Sequence, residues 1–162
     1  METAFRIRLA EEPDMSAVLE MIQELADFEN EPEQVEISAE DLKRDGFGSK
    51  PAFRCFVAEK EDEELVGMAL VYPRYSTWKG IVLHLEDLLV KQAYRGQGAG
   101  AQLLDEVVRY GQEQGVLRVS WEVLDWNEKA IEFYRSRGAR VMEDWHVVQL
   151  DGTALQDYFK NR

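Results

Sequence analysis

The feature that most constrains this chain is its crowded middle. Three strand-like runs, CFVAE (Cys55 to Glu59), LVGMALVY (Leu65 to Tyr72) and IVLHLEDLLV (Ile81 to Val90), are separated only by KEDEE and PRYSTWKG. Parallel neighbours need a crossover of a dozen or more residues, so these runs must pair antiparallel. Ahead of them FRIRLA alternates apolar and polar residues, as a half-buried strand does. Met15, Val18, Leu19, Met21, Ile22, Leu25 and Ala26 recur at helical spacing, which predicts an amphipathic helix from Pro13 or Asp14 to near Phe28. Ser38 with Asp41 makes a capping box for a second helix, running towards Asp45 and stopped by Gly46 and Gly48.

After Val90 comes YRGQGAGAQLLDEVV. Leu103, Leu104, Val107, Val108 and Tyr110 mark one face of a helix that Gly115 closes. VLRVSWEV predicts a further strand. Asn127 stands where a cap belongs, before a helix from Glu128 to Arg137 with Ala130, Ile131, Phe133 and Tyr134 facing inward and Gly138 ending it. ARVMEDWHVVQL reads as a last strand and Ala154 to Lys160 as a short helix. The 162 residues carry no repeat or shift in composition. They predict one domain, residues 1–162, of the α/β (α+β) class, with a mixed, mostly antiparallel central sheet flanked by helices.

Charge narrows the partners. Lys and Arg total 19 against 32 Asp and Glu, a net charge of −13. Such a surface disfavours nucleic acid, whose binding relies on basic side chains displacing counterions. It attracts small cations, although solubility alone accounts for it equally well. Glu24, Asp27, Glu29, Glu31, Glu33, Glu36, Glu40, Asp41 and Asp45 concentrate the acid in one segment against only Lys43 and Arg44. With one cysteine, Cys55, and two histidines, His84 and His146, neither a disulfide framework nor a structural zinc site is expected. Cys55, inside RCFVAE, reads as a small buried hydrophobe. The apolar runs are too short to span a membrane and METAFRIR lacks the pattern of a signal peptide, so a cytoplasmic location is expected.

The loop at Arg95 to Ala101 is the chemical signal. GQGAGA matches the dinucleotide pattern GxGxxG/A, with Glu122 near the place of a ribose-binding acid. The context is wrong, because a doubly wound fold puts that loop after its first strand and builds parallel strands afterwards. A Walker loop needs GK[ST], which is absent. A turn of small residues before a helix is the plain structural alternative. Three glycines close together nonetheless free several backbone N–H groups at a helix N-terminus, an arrangement suited to a pyrophosphate.

Arg95 to Gly100 also fits R/QxxGxG/A. With an antiparallel strand before it and a later Asn-capped helix carrying a tyrosine, the chain resembles the GNAT superfamily of acetyl-CoA-dependent acyltransferases. QELADFENEPEQV, SAEDLKRDGFG, FVAE, YSTWKG, HLEDLLV, YRGQGAG, LDWNEKAIEFY and the following RGA, in that order, resemble the spermidine/spermine (diamine) acetyltransferase family. That resemblance covers nearly the whole chain. It implies a GNAT fold, acetyl-CoA as cosubstrate without a metal, a homodimer, and transfer of acetyl to the amine of a small cationic molecule. Members of the polyamine-specific branch carry an aspartate two residues before the tryptophan matched by Trp78. Ser76 stands there in this chain, so YSTWKG, YRGQG and LDWN look closer to the thialysine N-epsilon-acetyltransferase branch, with polyamines as weaker substrates.

Carried over residue by residue, the resemblance implies that the backbone of Leu88, Leu89 and Val90 pairs with the pantetheine arm. Arg95, Gly96, Gln97, Gly98, Ala99, Gly100 and Ala101 would hold the pyrophosphate, and Asn127, Glu128, Lys129 and Ala130 would lie along the cofactor. Plain helix capping explains Asn127 as well. An alkyl ammonium must lose a proton before attacking a thioester, and the departing thiolate gains from receiving one, so one base and one acid are wanted. Tyr134 matches the acid of the family, while spacing alone fits a core aromatic equally well. Glu86 matches the base, acting through ordered water. Its alternation places it with Val82, His84 and Leu88, away from Leu83, Leu85 and Asp87, unless a bulge intervenes. The Leu88 N–H matches an oxyanion donor. Phe28, Glu29, Trp78, Glu86, Asp87, Ser120, Trp121 and Glu122 match the amine pocket, where carboxylates and aromatic faces suit an ammonium. Two other readings stay open: a CoA-binding interaction module without catalysis, and an acetyltransferase of protein amino groups.

Overall fold

The computed structural model describes residues 5–160. The residues 1–4 that open METAFRIR lie outside it. The fold comprises two compact units, one ending at Glu122 and one beginning at Val123.

The first unit is built on a five-stranded sheet in sequence order: β1 (Arg6–Leu9), β2 (Arg54–Glu59), β3 (Leu65–Ser76), β4 (Gly80–Val90) and β5 (Val119–Ser120). β2 to β4 run antiparallel, as their short links require; β1, joined to β2 through two helices, is also antiparallel to it, and β5 joins β4 in parallel. β3 continues past its expected end through Pro73 to Ser76. Proline is tolerated there because β2 pairs with β3 only as far as Val71, so the Pro73 nitrogen faces a free edge. VLRVSWEV shortens to the two residues of β5.

Helices cover both faces. α1 (Met15–Phe28) and α2 (Ala39–Phe47) bury Met15, Val18, Met21 and Leu42 with Cys55, Val57, Met68, Leu70 and Leu89 of the sheet. α3 (Ala99–Glu113) covers the other face, where an added methyl at Gly67 would meet Leu103 at 3.0 Å and one at Gly111 would meet Val119 at 3.0 Å. The capping box of α2 is formed: Asp41 N–H donates to Ser38 Oγ (3.1 Å) and Ser38 N–H donates to Asp41 Oδ2 (2.8 Å). Gly46 lies inside this helix rather than ending it, and Gly48 is the cap. Phe53 explains the glycine, since a Cβ at Gly46 would sit 2.4 Å from the Phe53 ring.

The second unit holds α4 (Glu128–Ser136) and α5 (Gly152–Gln156). The strand expected over 139–150 is absent: this stretch pairs with no strand among the described residues and leaves Trp145, Val147 and Val148 at 66%, 63% and 88% exposure. Its sequence suits a strand, yet a strand exists only where a ladder partner does. α5 begins at Gly152, two residues earlier than expected, and stops at Gln156.

Candidate active site

A bulge in β4 creates the most distinctive chemistry. Val71 stands opposite Leu85 and Leu70 opposite Asp87, so Glu86 is an extra residue without a partner on β3. Leu70 and Tyr72 share a face of β3, hence so do their partners Asp87 and His84. Strict alternation therefore misassigned two positions. Past the inserted residue the strand turns over, so Asp87 joins the face of His84 while Leu88, opposite Ala69, takes the other.

On that face the side chains converge. The Tyr72 hydroxyl donates to Glu86 Oε2 at 2.7 Å. His84 Nε2 lies 3.6 Å from the same oxygen, and its Nδ1 lies 3.0 Å from Ser120 Oγ on β5. His84 is buried and the Glu86 side chain is 52% exposed. Burial, joined by the charges of Glu86 and Glu29, pushes Asp87 up to about 6. Glu29, at the C-terminal end of α1, is raised by its own partial desolvation. Burial and the bond to Glu86 push the Tyr72 phenol up to about 12, and burial holds His84 below its ordinary value. Neighbouring carboxylates in a partly dry setting repel one another, and a cation among them relieves that repulsion.

The remaining expected amine-pocket residues spread more widely. Glu122 is exposed and Trp121 half-buried just beyond β5. Phe28 carries the Arg95 guanidinium over its ring at 5.3 Å. Trp78, 78% exposed, occupies the β3–β4 hairpin tip, where Ser76 Oγ accepts from its N–H at 3.2 Å. From Gly80 to Glu86 the strand covers about 20 Å at about 3.3 Å per residue, so one chain does not bring Trp78 to the carboxylates.

The side expected to receive the cofactor has its own geometry. β5 pairs with β4 only at Leu83 and His84, leaving the outer edge of Leu88, Leu89 and Val90 without a strand partner among the described residues. An extended amide-bearing chain fits such an edge. Gly96 and Gly98 take φ of 76° and 92°, a left-handed region that suits glycine. Gly98 caps α3 with no side-chain bond to the first turn, so the N–H groups of Ala99, Gly100 and Ala101 suit an outside acceptor. Arg95 anchors the loop: its Nε donates to Val90 O at 2.9 Å and its Nη2 lies 3.8 Å from Glu24. Gln97 donates to Ala93 O at 3.3 Å. The N–H groups at the start of α3 suit a pyrophosphate, and the open edge of β4 suits a pantetheine arm.

In the second unit Asn127 caps α4, its Oδ1 accepting from Ala130 N–H at 3.3 Å, while Glu128 and Lys129 are exposed. Tyr134 is half-buried on that helix beside Phe133, and burial raises its phenol. Cys55 is buried with its thiol pushed up to about 12, the state of a packing residue. Tyr72 and His84 were not singled out from sequence. The available signal was a tyrosine and a histidine on adjacent strands flanking an acid, but only the register makes them neighbours.

Residues 18–139 match the family model described as Acetyltransferase (GNAT) family. The chain belongs to the GNAT acetyltransferase family. This GNAT acetyltransferase is 41% identical to thialysine N-epsilon-acetyltransferase of Sus scrofa over 93% of its own chain and 95% of the relative. It is 39% identical to spermidine/spermine N(1)-acetyltransferase-like protein 1 of Homo sapiens over 94% of this chain but only 23% of that protein. Among solved structures, an integron cassette protein from the mobile metagenome of V. cholerae superposes with TM-score 0.77 at 20% identity, covering 99% of both chains. AAC(6')-Iy, bound to the bisubstrate analogue CoA-S-monomethyl-acetylneamine, gives 0.75 at 16% identity, over 90% of this chain and 97% of its own. Both structures support the fold. The family uses acetyl-CoA, and the loop of this acetyltransferase has the donors to receive it.

Proposed function

We propose that this enzyme acetylates the primary amine of a small cationic substrate, a thialysine or lysine-like amine first and diamines or polyamines less well, by direct attack on the thioester. The observation that carries the reading is the β4 bulge, which gathers Glu86 and Asp87 on the face of His84 with Glu29 nearby. Glu86, through an ordered water, takes the proton that the ammonium must lose before its nitrogen can bond to the acetyl carbon. The Leu88 N–H faces the carbonyl oxygen, and Tyr134 donates a proton to the sulfur as the carbon–sulfur bond breaks. Asp87 and Glu29 hold the ammonium. The substrate preference rests on similarity to the thialysine enzymes and on Ser76 in place of a further carboxylate.

Free-thiol release with acetyl-CoA and thialysine tests this. Tyr134→Phe should lower kcat at least tenfold while acetyl-CoA affinity stays within about twofold; unchanged turnover removes Tyr134 from the acid role.

We also infer a homodimer. Tyr75, Trp78 and Ile81 are 74%, 78% and 60% exposed along the β3–β4 hairpin, a cluster of apolar side chains that a second copy would cover. Sedimentation giving a monomer at micromolar concentration contradicts it.

A further inference from the structure

Of the groups around the bulge, Tyr72 and His84 are the two with no role in the proposed chemistry. Three strands bring them there. Tyr72 on β3 stands directly opposite His84 on β4, their rings 5.2 Å apart, and β5 contributes Ser120 beneath the imidazole. Because Glu86 has no partner on β3, no ladder pairing holds its residue in place. A half-exposed carboxylate on an unpaired residue would otherwise sample several rotamers.

We propose that Tyr72 and His84 are positioning residues that lock the Glu86 carboxylate in the orientation from which it serves as base, an inference that rests on the proposed role of Glu86. Both act on one oxygen. The phenol donates to Oε2, and the carboxylate beside Nε2 favours the imidazole tautomer with its proton on that nitrogen. Nδ1 is then an acceptor for the Ser120 hydroxyl, which fixes the ring. Among the described residues no protein group bonds to Oε1, the oxygen left to face water and amine. Burial lowers the His84 pKa below its ordinary value and so favours the neutral imidazole, which attracts the carboxylate without a full charge that would compete with the substrate for it. Arg74 and Glu122 also act on His84, with opposite sign.

The arrangement assigns Ser120 a new place. The resemblance put it in the amine pocket, whereas its hydroxyl contacts the histidine that faces the base. Amine specificity and base geometry then share a residue, and substitutions at 120 should alter kcat as well as the KM for the amine.

A double-mutant cycle on kcat with thialysine as acceptor tests the proposal. Tyr72→Phe keeps the ring and removes only the donor; His84→Gln keeps a donor near the Nε2 position and His84→Leu removes it. We expect Tyr72→Phe and His84→Leu each to lower kcat about 10- to 100-fold with the KM for acetyl-CoA within about twofold, and His84→Gln to recover most of the loss. In a Glu86→Gln background the same changes should lower kcat by less than about twofold, because they act through the missing carboxylate. Losses that multiply undiminished in that background overturn the proposal, as do Tyr72→Phe and His84→Leu enzymes of wild-type kcat where Glu86→Gln is impaired. A fully active Glu86→Gln enzyme instead refutes the role of Glu86, a distinct result. Thermal unfolding of each variant separates loss of fold from loss of position.

Discussion

Replacing Asp87 by Asn should make the protein more stable and a worse enzyme. Folding raises Asp87 from its ordinary value of 3.8 to about 6, mainly through burial and further through Glu86 and Glu29. The folded state thus holds this proton more tightly than the unfolded chain, so its stabilising contribution is complete below about 4 and is lost as pH rises through 6. Above 6 the buried charge burdens the fold. At about 1.4 kcal/mol per pH unit the rise corresponds to about 3 kcal/mol. An asparagine avoids the charge but keeps a partly buried amide that costs about 1 kcal/mol. The expected net effect is a gain of about 2 kcal/mol at pH 7.5 and a loss of about 1 kcal/mol at pH 4, where Asp87 is already neutral and only the amide cost remains. Urea unfolding at both pH values measures it, with an unchanged m-value showing that only stability moved. The KM for the amine should rise in the same variant, since one anionic partner of the ammonium is gone. Equal effects at pH 4 and 7.5, or destabilisation at pH 7.5, would refute the reasoning.

Three further outcomes follow from the scaffold. Ser38→Ala breaks the capping box of α2 and should cost about 1 kcal/mol, read as a midpoint lowered by about 2–4 °C. Gly46→Ala forces a Cβ against the Phe53 ring and should cost about 1–3 kcal/mol in chemical denaturation, with Phe53→Leu in the same chain recovering part of it. Cys55, buried and with its thiol pushed up to about 12, should react with a disulfide reagent at pH 8 only as fast as the protein opens, and with full stoichiometry in denaturant.

Much of this architecture was legible because local rules and global fold agree. Short links dictated the antiparallel order of β2 to β4, helical spacing at Met15 to Ala26 located α1, and Ser38 with Asp41 announced α2. The Gly loop before α3 was legible for the same reason, since the glycines that free its N–H groups are visible as letters. The bulge was not. One inserted residue reverses every later side chain, and nothing in HLEDLLV says which residue lacks a partner, so Asp87 was assigned the wrong face, and Tyr72 on the neighbouring strand was not placed beside Glu86. Residues 139–150 failed differently: their alternation is that of a strand, but among the described residues nothing pairs with them. Pattern reports what a segment can bury, while pairing depends on what lies beside it.

The most direct test of the central claim is the ratio kcat/KM for release of free thiol from acetyl-CoA, measured with wild-type enzyme over thialysine, lysine, a diamine, spermidine and spermine. The account predicts turnover with a ranking that puts thialysine above the longer polyamines. Tight binding of acetyl-CoA with no thiol released by any amine would contradict it.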